Sequence, residues 1–167
     1  LYGADAVFAA DLNGDKYLDI VATAFDVNTI VWYENDGHQN FTRKTLDASF
    51  NKANYLYVAD VNGDKHNDII ATAYGANSVA WWKNDGAGNF TKTVIDNQLL
   101  GANGVFVEDI DKDGKVDILA NAQSGNALVC YKSVNIDSLG NVSFQKQMID
   151  SQLKGAFWNH AIDVDGD

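Results

Sequence analysis

The sequence predicts an all-β chain assembled from repeated four-stranded units, and three observations carry that prediction. The acidic segment Ala10-Asp11-Leu12-Asn13-Gly14-Asp15-Lys16 returns 49 residues later as Ala59-Asp60-Val61-Asn62-Gly63-Asp64-Lys65. Between the copies lie short runs of β-branched and aromatic residues, separated by clusters of Asn, Asp and Gly. No segment sustains a helical period, proline is absent, and fourteen glycines supply the turns.

Each element of the first unit has its own justification. The run around Val7–Ala10 leads into the acidic segment and reads as a first strand. Ile20–Phe25, rich in β-branched and small residues, reads as the second. Asp26-Val27-Asn28 turns the chain into a third strand, Thr29–Glu34, and Asn35-Asp36-Gly37 opens a fourth, Phe41–Leu46. The pattern recurs. Asp19-Ile20-Val21-Ala22 matches Asp68-Ile69-Ile70-Ala71 and Asp117-Ile118-Leu119-Ala120, while Trp32-Tyr33 matches Trp81-Trp82 and Cys130-Tyr131. The repeats run over 3–51, 52–100 and 101–154, with an incomplete fourth over 155–167. The third carries five extra residues in the stretch Ser133–Val142, between its last two strands, where a loop is expected to absorb them.

Four strands in about 40–50 residues is the size of a β-propeller blade. An isolated sheet of this kind leaves its faces wet, so blades of four antiparallel strands are expected to stack around an axis. The alanines at 22, 24, 71, 73, 120 and 122 suit an inner strand, and Trp32, Tyr33, Trp81, Trp82 and Tyr131 suit the wider layers between blades. Three and a quarter blades cannot close a ring of about 4–8. The expected reading is a fragment of a larger propeller, its remaining blades supplied by the same longer chain or by other copies. The absence of an initiator methionine or signal peptide fits a mature or excised piece.

Composition narrows the partners. The net charge is −11, and the acids are 21 aspartates against two glutamates, thirteen of the aspartates falling in four short clusters. A solvated helical face would use glutamate freely, whereas compact oxygen ligands in tight loops favour aspartate. No basic patch exists to neutralise phosphates, so nucleic acid is excluded as a partner. No run of about 18 apolar residues offers a membrane span. The single cysteine, Cys130, cannot form an internal disulfide.

The acidic segments read as metal loops. Oxygen-bearing side chains occupy positions one, three, five and nine: Asp11, Asn13, Asp15 and Asp19; Asp60, Asn62, Asp64 and Asp68; Asp109, Asp111, Asp113 and Asp117. Alternate residues of a curled loop can converge on one point, as calcium requires with its 6–8 oxygens. Position seven is expected to add a backbone carbonyl from Tyr17, His66 and Lys115. A fourth copy, Asp163, Asp165 and Asp167, ends before its position nine. Magnesium demands a stricter octahedron, and zinc would want recurring histidine or thiolate. Three complete Ca2+ sites and a truncated fourth are therefore expected, and four ions would take the charge to about −3.

Other candidates read as structural. His38, His66 and His160 fall at different repeat positions, and His160 stands where Phe8, Tyr57 and Phe106 pack. Cys130 takes the Trp32/Trp81 slot as a small hydrophobe, and Trp82 and Trp158 are expected in the core rather than on a sugar. Asn40, Asn89 and Asn141 begin glycosylation sequons, the first two equivalent by repeat and the third not aligned with them. No nucleophile–base–orienter set can be assembled, so the chain is expected to be no enzyme.

The acidic loop followed by Asp19-Ile20-Val21-Ala22, then Trp32-Tyr33-Glu34-Asn35-Asp36-Gly37 and Asn40-Phe41-Thr42, resembles the FG-GAP/VCBS repeats. That resemblance covers almost the whole chain and implies an extracellular propeller of about seven blades, as in integrin α-subunits, with one calcium in each loop between first and second strands. One departure is that such loops carry Gly at position six, as Gly114 does, whereas Lys16 and Lys65 stand there instead. The implied function is a calcium-stabilised module of a secreted or cell-surface protein acting in adhesion or recognition. The alternatives are a carbohydrate-binding lectin-type propeller and a non-catalytic ancillary domain of an extracellular lyase or dehydratase. The expected partner is a protein or glycan at the propeller face or in inter-blade grooves.

Overall fold

The structure is a computed structural model that describes residues 1–162 and 164. It is all-β: twelve strands form three four-stranded antiparallel sheets, with one short 3-10 turn at Phe25–Val27. The first sheet holds β1 (Ala4–Ala10), β2 (Asp19–Ala24), β3 (Thr29–Asn35) and β4 (Phe41–Asp47), paired in chain order. The second holds β5 (Ala53–Ala59), β6 (Asp68–Ala73), β7 (Ser78–Asn84) and β8 (Phe90–Asp96) in the same order. The third repeats the meander with β9 (Ala102–Glu108), β10 (Asp117–Ala122), β11 (Ala127–Ile136) and β12 (Val142–Asp150). No helix among the described residues is long and apolar enough to cross a membrane.

The sheets stack face to face through their β-branched and aromatic residues. Trp32, Val21 and Ile30 of the first sheet share a core with Ile69, Ala71 and Trp82 of the second. The opposite face of that second sheet, Ile70, Val79 and Trp81, shares a core with Ile118, Val129 and Tyr131 of the third. Edge-to-face aromatic pairs recur across these layers, Trp32 on Phe90 at 5.8 Å and Trp81 on Phe144 at 6.5 Å. Offset and edge contacts of this kind are the favourable aromatic geometry.

The first strand of each sheet, rather than the alanine-rich second, lies against its counterpart in the next. Phe8, Tyr57, Phe106 and His160 follow one another along that edge with ring centroids 5.3, 5.2 and 4.4 Å apart. The histidine thus continues an aromatic row, as its repeat position predicts. The alanines of β2, β6 and β10 sit one strand further out and are all buried, those of β6 and β10 within the shared cores. Each first strand also bulges near its start, at Ala4/Val7, at Ala53/Leu56 and opposite Ala120/Ala122. The side chain at the matching place on the second strand stabilises the bulge. Thr23 Oγ accepts from Ala6 N–H at 3.0 Å and donates to the Asn54 carbonyl of the next sheet at 2.6 Å, and Thr72 donates likewise to the Asn103 carbonyl.

The five extra residues of the third unit do not form a loop. They lengthen the β11–β12 hairpin, adding the pairs Asn135–Ser143 and Ile136–Val142 and a bulge between Ser133 and Asn135. The turn beyond them is unchanged: Asp36, Asp85 and Asp137 each receive a side-chain bond from Asn40, Asn89 and Asn141, at 2.8, 2.8 and 2.9 Å. The third sequon is therefore equivalent to the first two in space. An insertion that pairs across a hairpin keeps its backbone groups satisfied, which a flexible loop would leave to water. Trp158 also departs from expectation: it is exposed and stacks on His160, whereas Trp82 is buried.

Candidate metal centres

Each acidic loop joins the first strand of a sheet to the second, and its three complete copies fold alike. The carboxylate at position one organises the loop by accepting backbone amides. Asp11 receives Gly14 N–H at 2.7 Å and Lys16 N–H at 2.8 Å, Asp60 receives Gly63 and Lys65 at 2.8 Å each, and Asp109 receives Gly114 at 2.8 Å. Position five turns back onto position seven, with Tyr17, His66 and Lys115 N–H donating to Asp15, Asp64 and Asp113 at 2.8, 2.9 and 2.9 Å. The rings of Tyr17 and His66 lie outside this curl, over Gly37 and Gly86, where a Cβ would approach a ring atom to 2.4 and 2.3 Å.

Position nine begins the second strand and is buried in every copy: Asp19, Asp68 and Asp117. One oxygen accepts from the loop's second residue, Leu12, Val61 or Ile110, at 3.1, 3.1 and 3.3 Å. The other accepts from the third strand, at the N–H of Asn35, Asn84 or Ser133, at 2.8, 2.8 and 2.9 Å. Burial pushes the Asp68 carboxyl up to about 6, against the lowering effect of those amides and with the nearby Asp64 charge adding to the rise. Asp19 and Asp117 are raised for the same leading reason. A buried carboxylate crowded by other carboxylates is a site where a cation relieves the desolvation and the repulsion together.

In the third loop, oxygens of Asp109, Asp111 and Asp117 all lie within 4.8 Å of one another. In the first two loops Asn13 and Asn62 replace the central acid. Their carbonyl oxygens accept from Asp15 and Asp64 N–H at 3.1 Å, and their amides donate to the same residues' carboxylates at 3.0 and 2.8 Å. The donor set is hard oxygen throughout, so these residues fit a calcium ion. Asp163, Asp165 and Asp167 of the expected fourth loop lie outside the described residues.

Two features have no signature in a single repeat of the sequence. The first is a clasp from the following sheet: Asn67 and Asn84 amides donate to the Asp11 and Leu12 carbonyls at 3.0 and 2.9 Å, and Asn62 donates to the Gly140 carbonyl at 3.3 Å. The second is a charged neighbour late in each third strand. Glu34 meets Asn13 at 3.4 Å and Lys44 at 2.9 Å, and Lys132 pairs with Asp111. Aligning the repeats position by position would bring Glu34, Lys83 and Lys132 together. Cys130 is buried, its thiol pushed up to about 11 by burial first and then by the Asp117 and Asp111 charges, which leaves it poorly reactive.

The sequence matches the model of an FG-GAP-like repeat over residues 11–71 and again over 60–120. None of the curated proteins matches. Among solved structures, a chain described in a study of specific recognition of non-reducing terminal N-acetylglucosamine by an Agrocybe aegerita lectin superposes with a TM-score of 0.59 at 21% identity. The alignment covers 90% of this chain and 39% of that one, so this chain spans well under half of the neighbour. At that identity the likeness is one of fold.

Proposed function

The chain belongs to the FG-GAP-like repeat family, and on that premise we propose that it is a calcium-stabilised, non-catalytic recognition module, its sheets being successive blades of a β-propeller on a secreted or cell-surface protein. The observation that carries the reading is one loop geometry built three times on hard oxygen ligands, each copy ending in a buried carboxylate. In the first loop Asp11, Asn13, Asp15 and Asp19 with the Tyr17 carbonyl would hold the ion. In the second, Asp60, Asn62, Asp64 and Asp68 would act with His66, and in the third Asp109, Asp111, Asp113 and Asp117 with Lys115. The ion supplies charge neutralisation and cross-links the loop to the second strand. Extracellular calcium modules work at about 10⁻⁴–10⁻³ M, which suits exposed loops of this kind.

Thermal unfolding in millimolar calcium and in excess chelator, with magnesium as control, tests this. One site held at about ten times its dissociation constant adds about 1.4 kcal/mol, roughly 3–6 °C of Tm for a chain of this size. Superimposable melts at neutral pH would remove calcium from the account.

A glycan ligand is the recognition we favour. A cleft of about 590 Å³ along the first-strand edge is lined by Asp5, Phe25, Asn54, Tyr55, Tyr74 and Asn103, among others. Aromatic faces beside carboxylate and amide groups are what a sugar needs for stacking and paired hydroxyl bonds, and the structural neighbour is a lectin. A glycan array that includes terminal N-acetylglucosamine should yield binders, and their signal should fall in the Tyr74→Ala variant. A blank array argues for a protein partner instead.

A further inference from the structure

The three sheets place different charged residues at one repeat position: Glu34, Lys83 and Lys132 each follow the aromatic Tyr33, Trp82 or Tyr131. Their fates differ. Glu34 faces the first loop, one oxygen 3.4 Å from the Asn13 amide, and its other oxygen is held by Lys44 at 2.9 Å. Lys83 is drawn away from the second loop by the lengthened hairpin of the third sheet, where its ammonium donates to the Leu139 carbonyl at 2.8 Å and to Asn141 Oδ1 at 3.3 Å. Lys132 has no such diversion and pairs with Asp111, the central acid of the third loop.

Carboxylate number alone would rank the third loop highest for a cation. It has four acids, with three converging within 4.8 Å, whereas the other two loops have three acids and an amide. Two tethered ammoniums oppose that ranking: Lys115, a residue of the loop itself, on Asp113, and Lys132, brought from the third strand, on Asp111. Resting on the calcium reading above, we propose that Lys132 is a built-in competitor for the cation of the third loop, a specificity-determining residue that calcium must displace from Asp111. Tethering keeps the competitor at high local concentration. The pair is solvent-exposed, so it weakens calcium binding without blocking it, by about fivefold.

Each loop carries its own reporter, because Gly14, Gly63 and Gly114 all donate their N–H groups to the first carboxylate of their loop. Calcium titration of the 15N-labelled chain, followed at these three amide resonances, reads the loops separately. Lys132→Ala should lower the Gly114 midpoint about fivefold while leaving Gly14 and Gly63 in place. Lys132→Arg should keep the wild-type midpoint, and Lys83→Ala should not move Gly63. An unchanged Gly114 midpoint in Lys132→Ala, in a well-dispersed spectrum, overturns the proposal and leaves an ordinary surface ion pair. An equal shift of Gly63 in Lys83→Ala overturns it as well. Should calcium move none of the three glycines in the wild type, the calcium reading itself fails along with this one.

Discussion

Lysine occupies a backbone conformation in the acidic loops that usually goes to glycine. Positions four and six of every loop are left-handed, with φ between +59° and +85°, yet the residues there are Gly14 and Lys16, Gly63 and Lys65, and Lys112 and Gly114. The sequence shows a misplaced glycine; the structure shows one turn with its glycine at either of two left-handed places. A non-glycine residue there costs on the order of 1 kcal/mol, offset by the amide bonds that each turn directs onto its first aspartate. Asp68 is the other residue whose behaviour departs from its type. Its carboxyl in the ion-free fold stands near 6, above the 3.8 of an ordinary aspartate. Folding without calcium therefore takes up a proton, and the stability gained that way declines as pH climbs from about 4 through 6. Asp47 and Asp96, whose carboxyls are lowered, change stability only below that window. Urea unfolding in chelator should give a higher midpoint at pH 5 than at pH 7, from an unfolding free energy greater by about 1 kcal/mol. Asp68→Asn should shrink the difference, the raised Asp19 and Asp117 carboxyls supplying the remainder, and calcium should reverse it. A chelated protein that gains stability from pH 5 to 7 contradicts this account.

At the scale of elements, strands are largely legible in the sequence and their irregularities are not. Ile20–Phe25 and Thr29–Glu34 read as strands because β-branched residues run between Asn, Asp and Gly, and the observed β2 and β3 agree to within a residue at each end. The bulges at the start of each first strand leave no mark, because the side chains beside them, Thr23, Thr72 and Asn121, show their backbone partners only once the sheets are formed. The lengthened β11–β12 hairpin is hidden for a related reason. Five residues look like a loop when counted along the chain and become two rungs and a bulge only once pairing is known. Of the acidic loops, the third shows carboxylate oxygens converging, those of Asp109, Asp111 and Asp117, as their spacing predicts. That Asp19, Asp68 and Asp117 also tie the loop to the third strand is not legible, because their partners are backbone amides that any residue provides.

The stacking of whole sheets assigns different burial to residues that the repeat makes equivalent. Phe50 and Leu99 are 3% exposed, whereas Leu153, at the same position after the third sheet, is 40% exposed. Leu12 and Val61 are buried and Ile110 is not. Leu99→Ala should therefore cost about 2–5 kcal/mol and Leu153→Ala less than about 1 kcal/mol in this 167-residue chain. Equal losses by chemical denaturation would mean that the third sheet's outer face is covered in solution. The repeat makes these positions equivalent in sequence, and the arrangement of the sheets sets how far each is covered.

The asparagine clasps give the stack a direction. The first loop is gripped by the second sheet and the second loop by the third. In a nearest-neighbour array of this kind each unit guards the one before it. Loosening the second sheet should therefore free the first loop as well, whereas loosening the first sheet leaves the bond between the second loop and the third sheet in place.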